Sequence, residues 1–289
     1  MQQILLTAFA LTFFAQIPSL DSLSPKERHE AIEVIAILGN REAVPVLVEA
    51  YRKEPRKDLR TSIVAALGQI RDRSAIPGLS EALLGDFERD VRLQGIDSLL
   101  RLYIPVADDE GFWSFIGRVR NVFSEEERPI VGVNTYVDQT AKEVLVQSLE
   151  RDFDPEVRIE AAHALGSLRA VDQLPGLIEQ LEGPRNREDR DVRVAIIRAM
   201  GVIGSQEAGP ALTRMLKDED ERIVEEAIQA VGVTGYQAAY PALVNLFKTS
   251  RNGDLREYSL QSIALLQEPA AVSLFESLLD ASDDTYREL

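Results

Sequence analysis

Apolar positions along this chain recur at helical spacing in two alternating kinds of segment. In VRIEAAHALGSLRAVDQLPGLIEQL, from Val157 to Leu181, the residues Val157, Ala161, Ala164, Leu165 and Leu168 fall on one helical face. After a polar turn, Leu174, Leu177, Ile178 and Leu181 fall on another. The same frame fits the stretches beginning at Leu59, Val192 and Ile223, with weaker copies near Arg28, Val91 and Leu255. Spacings of 35, 31 and 32 residues separate Arg158, Arg193, Val224 and Arg256, and four glycines (Gly68, Gly166, Gly201, Gly232) each precede a proline by nine residues. Asp154 and Asp220 stand where a helix needs an N-cap, and Pro155 falls in a first turn, where its missing N–H costs nothing. Each unit is therefore predicted to be two short helices. Neither buries its face alone, but pairs stacked on pairs make one continuous core.

The run DPEVRIEAAHALGSLRAVDQLPGL carries the pattern Asp-x-x-Val-Arg-x-x-Ala-x-x-Ala-Leu-Gly followed by Leu-Pro-x-Leu. It resembles the bacterial HEAT repeat of the phycobilisome-lyase-like class, over roughly residues 24–102 and 141–280. The resemblance implies an all-α fold, an α-α superhelix or HEAT-repeat solenoid that holds partners, with the Val-Arg helix lining the concave side. It also raises a lyase-type alternative, since relatives help attach a linear tetrapyrrole to a protein cysteine. Deoxyhypusine hydroxylase, an enzyme of similar repeats, holds two irons through several His-Glu pairs. This chain has two histidines, one of them in the pair His29-Glu30 and the other, His163, followed by alanine. A di-iron set of that kind cannot be assembled from them.

Two stretches break the repeat. From Ile4 to Ala15 the chain reads ILLTAFALTFFA, uncharged and too short to span a bilayer, as a signal-peptide core would be. It predicts residues 1–22 as a signal peptide and a periplasmic or secreted protein, against a cytoplasmic or N-terminally anchored one. No integral membrane span would follow cleavage. The second break separates N-terminal repeats at 23–102 from C-terminal repeats at 140–289. Residues 103–139 form an insert or a degenerate repeat. There Phe112, Phe115, Ile116, Val119 and Phe123 share a helical face beside Trp113, with Arg118 largely opposite, and PIVGVNTYV from Pro129 reads as extended. The helix Ala141–Leu149 is read as the first of the next unit. The insert suits a seal in the stack, a partner anchor or a membrane-surface contact.

A formal charge of −16 leaves no basic patch to meet a phosphate backbone, so nucleic acid is not expected as a partner. The absence of cysteine removes disulfides, thiolate nucleophiles and thiol-zinc sites. The signatures of a nucleophile turn, a phosphate loop and a calcium loop are missing, so no catalytic residue, metal site or cofactor is assigned. The repeat arginines Arg60, Arg92, Arg158, Arg193 and Arg256, each with an aspartate nearby such as Asp58, Asp90 or Asp191, predict a structural Asp-Arg ladder. If the Val-Arg helices stack in register, His163, Arg198, Gln229 and Gln261 form a polar row with Glu160, Glu226 and Tyr258 one turn away. The expectation is a monomeric, non-enzymatic scaffold binding a protein partner through this row and the insert residues Phe112, Trp113, Phe115 and Arg118. The lyase-type accessory protein is the alternative.

Overall fold

A computed structural model describes residues 20, 23–104, 129–132 and 134–279. The predicted signal peptide, Leu20 apart, and the aromatic insert helix lie outside these residues. The described residues hold fourteen α-helices and no strand. In chain order they are α1 (Pro25–Leu38), α2 (Val44–Lys53), α3 (Lys57–Ile70), α4 (Ile76–Gly85), α5 (Arg89–Arg101), α6 (Gln139–Arg151) and α7 (Pro155–Ser167). The remainder are α8 (Leu174–Glu182), α9 (Arg190–Ile203), α10 (Gly209–Met215), α11 (Glu221–Thr234), α12 (Tyr240–Thr249), α13 (Gly253–Leu265) and α14 (Ala271–Leu279). Odd numbers are first helices and even numbers second helices of a repeat. The chain divides into two compact units, Met1–Ser148 and Leu149–Leu289, the division falling within α6. None of the described helices is long and apolar enough to cross a membrane.

Local chemistry sets each boundary. Ser24 opens α1 with a reciprocal capping box, its backbone N–H donating to Glu27 and the Glu27 N–H to its hydroxyl. Asp154 and Asp220 cap α7 and α11 by accepting from the N–H of Glu156 and Arg222, both at 2.9 Å. First helices other than α5 end on or just before a residue in the left-handed region, a glycine at Gly39, Gly204 and Gly235 but Arg71, Arg169 and Gln267 elsewhere. A single 3-10 turn then leads into the second helix, whose second residue is proline in α2, α4, α8, α10 and α12.

Packing between repeats is set by how closely first helices approach. A Cβ on Gly68 of α3 would stand 2.7 Å from the Ser98 Cα on α5, within unit 1. In unit 2, a Cβ on Gly166 would meet Ala199 at 3.0 Å, one on Gly201 would meet Ala230 at 3.2 Å, and one on Gly232 would meet the Ser262 hydroxyl at 2.8 Å. Each glycine thus faces the residue two before the equivalent position on the next helix. Where that residue is serine it is buried, and its hydroxyl donates across the interface: Ser98 to the Val64 carbonyl at 2.9 Å, Ser262 to the Ile228 carbonyl at 2.8 Å.

Of the repeat arginines, Arg60, Arg158 and Arg193 pair with carboxylates, but with ones further along than their sequence neighbours, while Arg256 donates to the Phe247 carbonyl. Arg60 donates from Nε and Nη2 to both oxygens of Asp86, at 2.8 and 3.0 Å, and Tyr51 donates to the same carboxylate at 2.9 Å. Arg158 reaches Asp189 at 2.6 Å, while Arg193 meets Asp218 and Arg28 meets Glu54. Every such carboxylate lies after the second helix of the arginine's own repeat, so the pair ties the start of one repeat to the start of the next. A second use recurs: Arg92 donates to the carbonyls of Asp86 and Phe87, and Arg158 to those of Asp152 and Phe153. The turn after α6 therefore has the hydrogen bonding of the turn after α4. It follows that α6 takes the second-helix place, not the first-helix place read from its sequence.

The chain returning from those residues is fixed to unit 1 by a polar clasp. Tyr103 donates to Asp138 at 2.9 Å, and the Asp138 N–H donates back to the phenol oxygen at 3.3 Å. Arg73 reaches Asp138 at 3.3 Å and the Tyr136 carbonyl at 3.2 Å, with its guanidinium 5.7 Å from the Tyr103 ring and 5.1 Å from that of Tyr136. Val131 and Val137 are buried beside it.

Two measurements check this account. Gly68→Ala is expected to cost about 2 kcal/mol by overpacking, whereas Gly85→Ala, where a Cβ meets nothing within 4 Å, leaves the urea midpoint unchanged or raised. Burial alone would raise the Asp86 carboxyl, but hydrogen bonds from Arg60, the Glu88 N–H and Tyr51 outweigh it, so it titrates below the usual carboxylate range. A lowered folded-state value contributes stability above the unfolded value and loses it as pH falls. Asp86→Asn should therefore cost about 3 kcal/mol at pH 7, and the deficit should shrink in unfolding curves taken below about pH 4.

Candidate functional site

Because α7, α9, α11 and α13 repeat one small-residue contact, equivalent positions on them follow one another with a constant two-residue step, about 3 Å along the axis, a rung for each helix. Three before the glycine position come His163, Arg198, Gln229 and Gln261. His163 is half-buried, and the other three are exposed. Arg198 donates from Nε to Glu226 at 2.8 Å and pairs with its second oxygen as well, joining α9 to α11. Glu160 is buried on α7, Tyr258 is half-buried on α13, and Gln261 donates to Glu257 at 3.1 Å. The structure thus brings Arg198 and Glu226 into contact and places the other members on successive helices of unit 2. Phe112, Trp113, Phe115 and Arg118 lie outside the described residues.

Two further bands flank this rung. One residue past the glycine position stand Val202, Val233 and Leu265, exposed by 39%, 61% and 56%. Single exposed aliphatics are ordinary, but three at equivalent positions on adjacent helices make a stripe. The sequence signal was present, since each follows the repeat's small residue directly. On the other side of the rung lie Glu225, Glu226, Asp254 and Glu257, opposed by Arg222 and Arg198. Burial, then the charges of Glu226 and Asp254, push the Glu225 carboxyl above its ordinary value against the pull of Arg222 and Arg198. Neither Glu225 nor Asp254 carries an ion pair among the described residues.

Metal chemistry finds no footing in these groups. Among the described residues there is no cluster of three or more His, Asp or Glu side chains able to hold a metal. His29 is exposed on α1, 3.4 Å from Glu33 and 3.4 Å from the Ser62 hydroxyl, and His163 belongs to the other unit. A set built from several His-Glu pairs does not fit a chain with two histidines.

Curated relatives with significant similarity are named deoxyhypusine hydroxylase. The fission yeast Schizosaccharomyces pombe protein is 27% identical over 207 residues, covering 69% of this chain and 62% of its own length. The Drosophila melanogaster protein is 25% identical over 222 residues, covering 76% of this chain and 68% of its own. The chain thus spans less than two thirds of the yeast relative. These names overturn the expectation of a non-enzymatic scaffold, because the relatives are an enzyme; they are also eukaryotic, which leaves the bacterial assignment without support. Among solved structures, the complex of CpcE and CpcF of phycocyanin lyase from Nostoc is 22% identical, covers 93% of this chain and 89% of that one, and has a TM-score of 0.41. A designed armadillo repeat protein is 19% identical, with 77% and 99% covered and a TM-score of 0.44. The family profile of HEAT repeats matches residues 16–100 and 182–264, more than half of the chain and including the first helices that carry Arg198, Gln229 and Gln261. With the paired helices, the recurrent glycine contacts and this match in agreement, the chain belongs to the HEAT-repeat family.

Proposed function

We propose that the protein recognises a segment of another protein across α9, α11 and α13, and that this recognition serves an enzyme-type role of the kind its curated relatives carry. The observation that supports the reading is the in-register rung of Arg198, Gln229 and Gln261 set between an apolar stripe and a carboxylate band. Exposed amides at equivalent positions on neighbouring helices can donate to and accept from a ligand's main chain, and the stripe gives that ligand apolar surface to bury. The Arg198–Glu226 pair holds the guanidinium in place before a ligand arrives, so less conformational freedom is lost on binding. Binding is what these residues do; no step is routed through a metal, because the histidine pairs such a step would need are absent.

The relatives' name supplies the first probe. A peptide bearing deoxyhypusine, titrated calorimetrically into the full chain, is expected to bind, and changing Gln229 and Gln261 together to alanine should weaken it about tenfold through lost hydrogen bonds. Unchanged affinity in that double variant, with helicity retained, would overturn the location. Mass spectrometry of the peptide after incubation with and without added iron reads hydroxylation directly; turnover that depends on iron would overturn the statement that the metal set is absent.

A further inference from the structure

We infer that the recognised segment alternates basic and apolar residues, its lysines or arginines reaching Glu225 and Asp254 while its apolar side chains lie on Val202, Val233 and Leu265. This rests on the reading that a protein segment crosses that face, and it adds the chemistry of the segment. The argument is first one of distance. Gln229 lies four residues from Glu225 and four from Val233, which at 1.5 Å per residue is about 6 Å along the helix in each direction. A main chain running over Gln229 and Gln261 is therefore midway between the two bands. In an extended chain successive side chains point to opposite sides, so every second residue is directed at carboxylates and every other at aliphatic surface. A lysine stem of four methylenes spans that interval and can lie along the helix surface as it does so.

Charge points the same way. Glu225, Glu226, Asp254 and Glu257 face Arg198 and Arg222, which leaves the band two charges negative, within a chain of net charge −16. Glu226 is already bonded to Arg198, whereas Glu225 feels the repelling charges of Glu226 and Asp254 against only the unbonded pull of Arg222 and Arg198, and its carboxyl stays raised. A ligand cation relieves that repulsion, and an acidic ligand would add to it. The three helices span about 20 Å from axis to axis, which about seven extended residues cover at roughly 3.3 Å each.

The test uses three ten-residue probes on the full chain: alternating lysine-valine, lysine-serine and glutamate-valine. Fluorescence anisotropy is measured at low and high salt. Lysine-valine should bind about tenfold more tightly than either other probe, and more weakly as salt rises. Changing Glu225→Gln with Asp254→Asn should remove most of the preference over glutamate-valine and flatten the salt dependence. Val233→Ser should remove the preference over lysine-serine. Circular dichroism shows whether each variant is folded, and wild-type probe comparisons carry the result if one is not. Equal binding of all three probes, still weakened by the glutamine changes at the central rung, overturns the alternation but keeps the crossing segment. Binding of none overturns both. Self-association in sedimentation that Val233→Ser abolishes makes a second copy the occupant and overturns the proposal as well.

Discussion

Where first helices of neighbouring repeats touch, the glycine of one meets the residue two before the equivalent position of the next. At Gly68 and Gly232 that residue is a buried serine whose hydroxyl donates to a carbonyl of the glycine-bearing helix. The contact sets spacing and register together. A side chain at the glycine would force the helices apart, and a slip along the axis would strand a buried hydroxyl without its acceptor. Everything on the outward side inherits that alignment. Arg198, Gln229 and Gln261 form a regular row because the buried contacts beneath them do, so the binding face is an external consequence of an internal fit.

The ion pairs have a different part. Arg60 with Asp86, Arg193 with Asp218 and Arg158 with Asp189 are half-buried or buried and join the start of one repeat to the turn that opens the next. Desolvation takes back much of the attraction in such pairs. Their value lies in satisfying the turn: Arg158 also donates to two carbonyls of its own turn, as Arg92 does in unit 1. A repeat that opens after so short a turn needs its backbone groups met by a side chain, and the arginine's planar fork reaches several at once.

Much of the fold was legible because its signals are local and repeated. Helical spacing, the nine-residue interval from glycine to proline, and the caps at Asp154 and Asp220 all describe contacts within one repeat. The arginine partners were not legible in the same way, since Asp58 is nearer to Arg60 in sequence than Asp86 but is not where the Arg60 guanidinium reaches. Placing α6 also needed the structure: VLVQSL satisfies the apolar pattern of either helix, and only the bonds from Arg158 to Asp152 and Phe153 identify the turn behind it. For the candidate face, the polar row could be read by stacking equivalent residues. The apolar stripe was passed over because an aliphatic beside the repeat glycine looks like core until exposure is known. Chemistry was read least well. The repeat pattern is common to binding proteins and to the enzymes named by the relatives, and it does not separate them.

The clasp of Arg73, Tyr103, Tyr136 and Asp138 brings the chain back to the repeat it left, so the second helix of that repeat starts from a fixed point whatever lies between. Closing a longer excursion between anchored ends is inexpensive, about 0.6 kcal/mol for each doubling of length. The number of residues between Ile104 and Pro129 therefore adds little to the closure cost between these ends. Related chains can lengthen or shorten that stretch at little closure cost, and the clasp marks a position in unit 1 where new sequence can be tried between fixed ends.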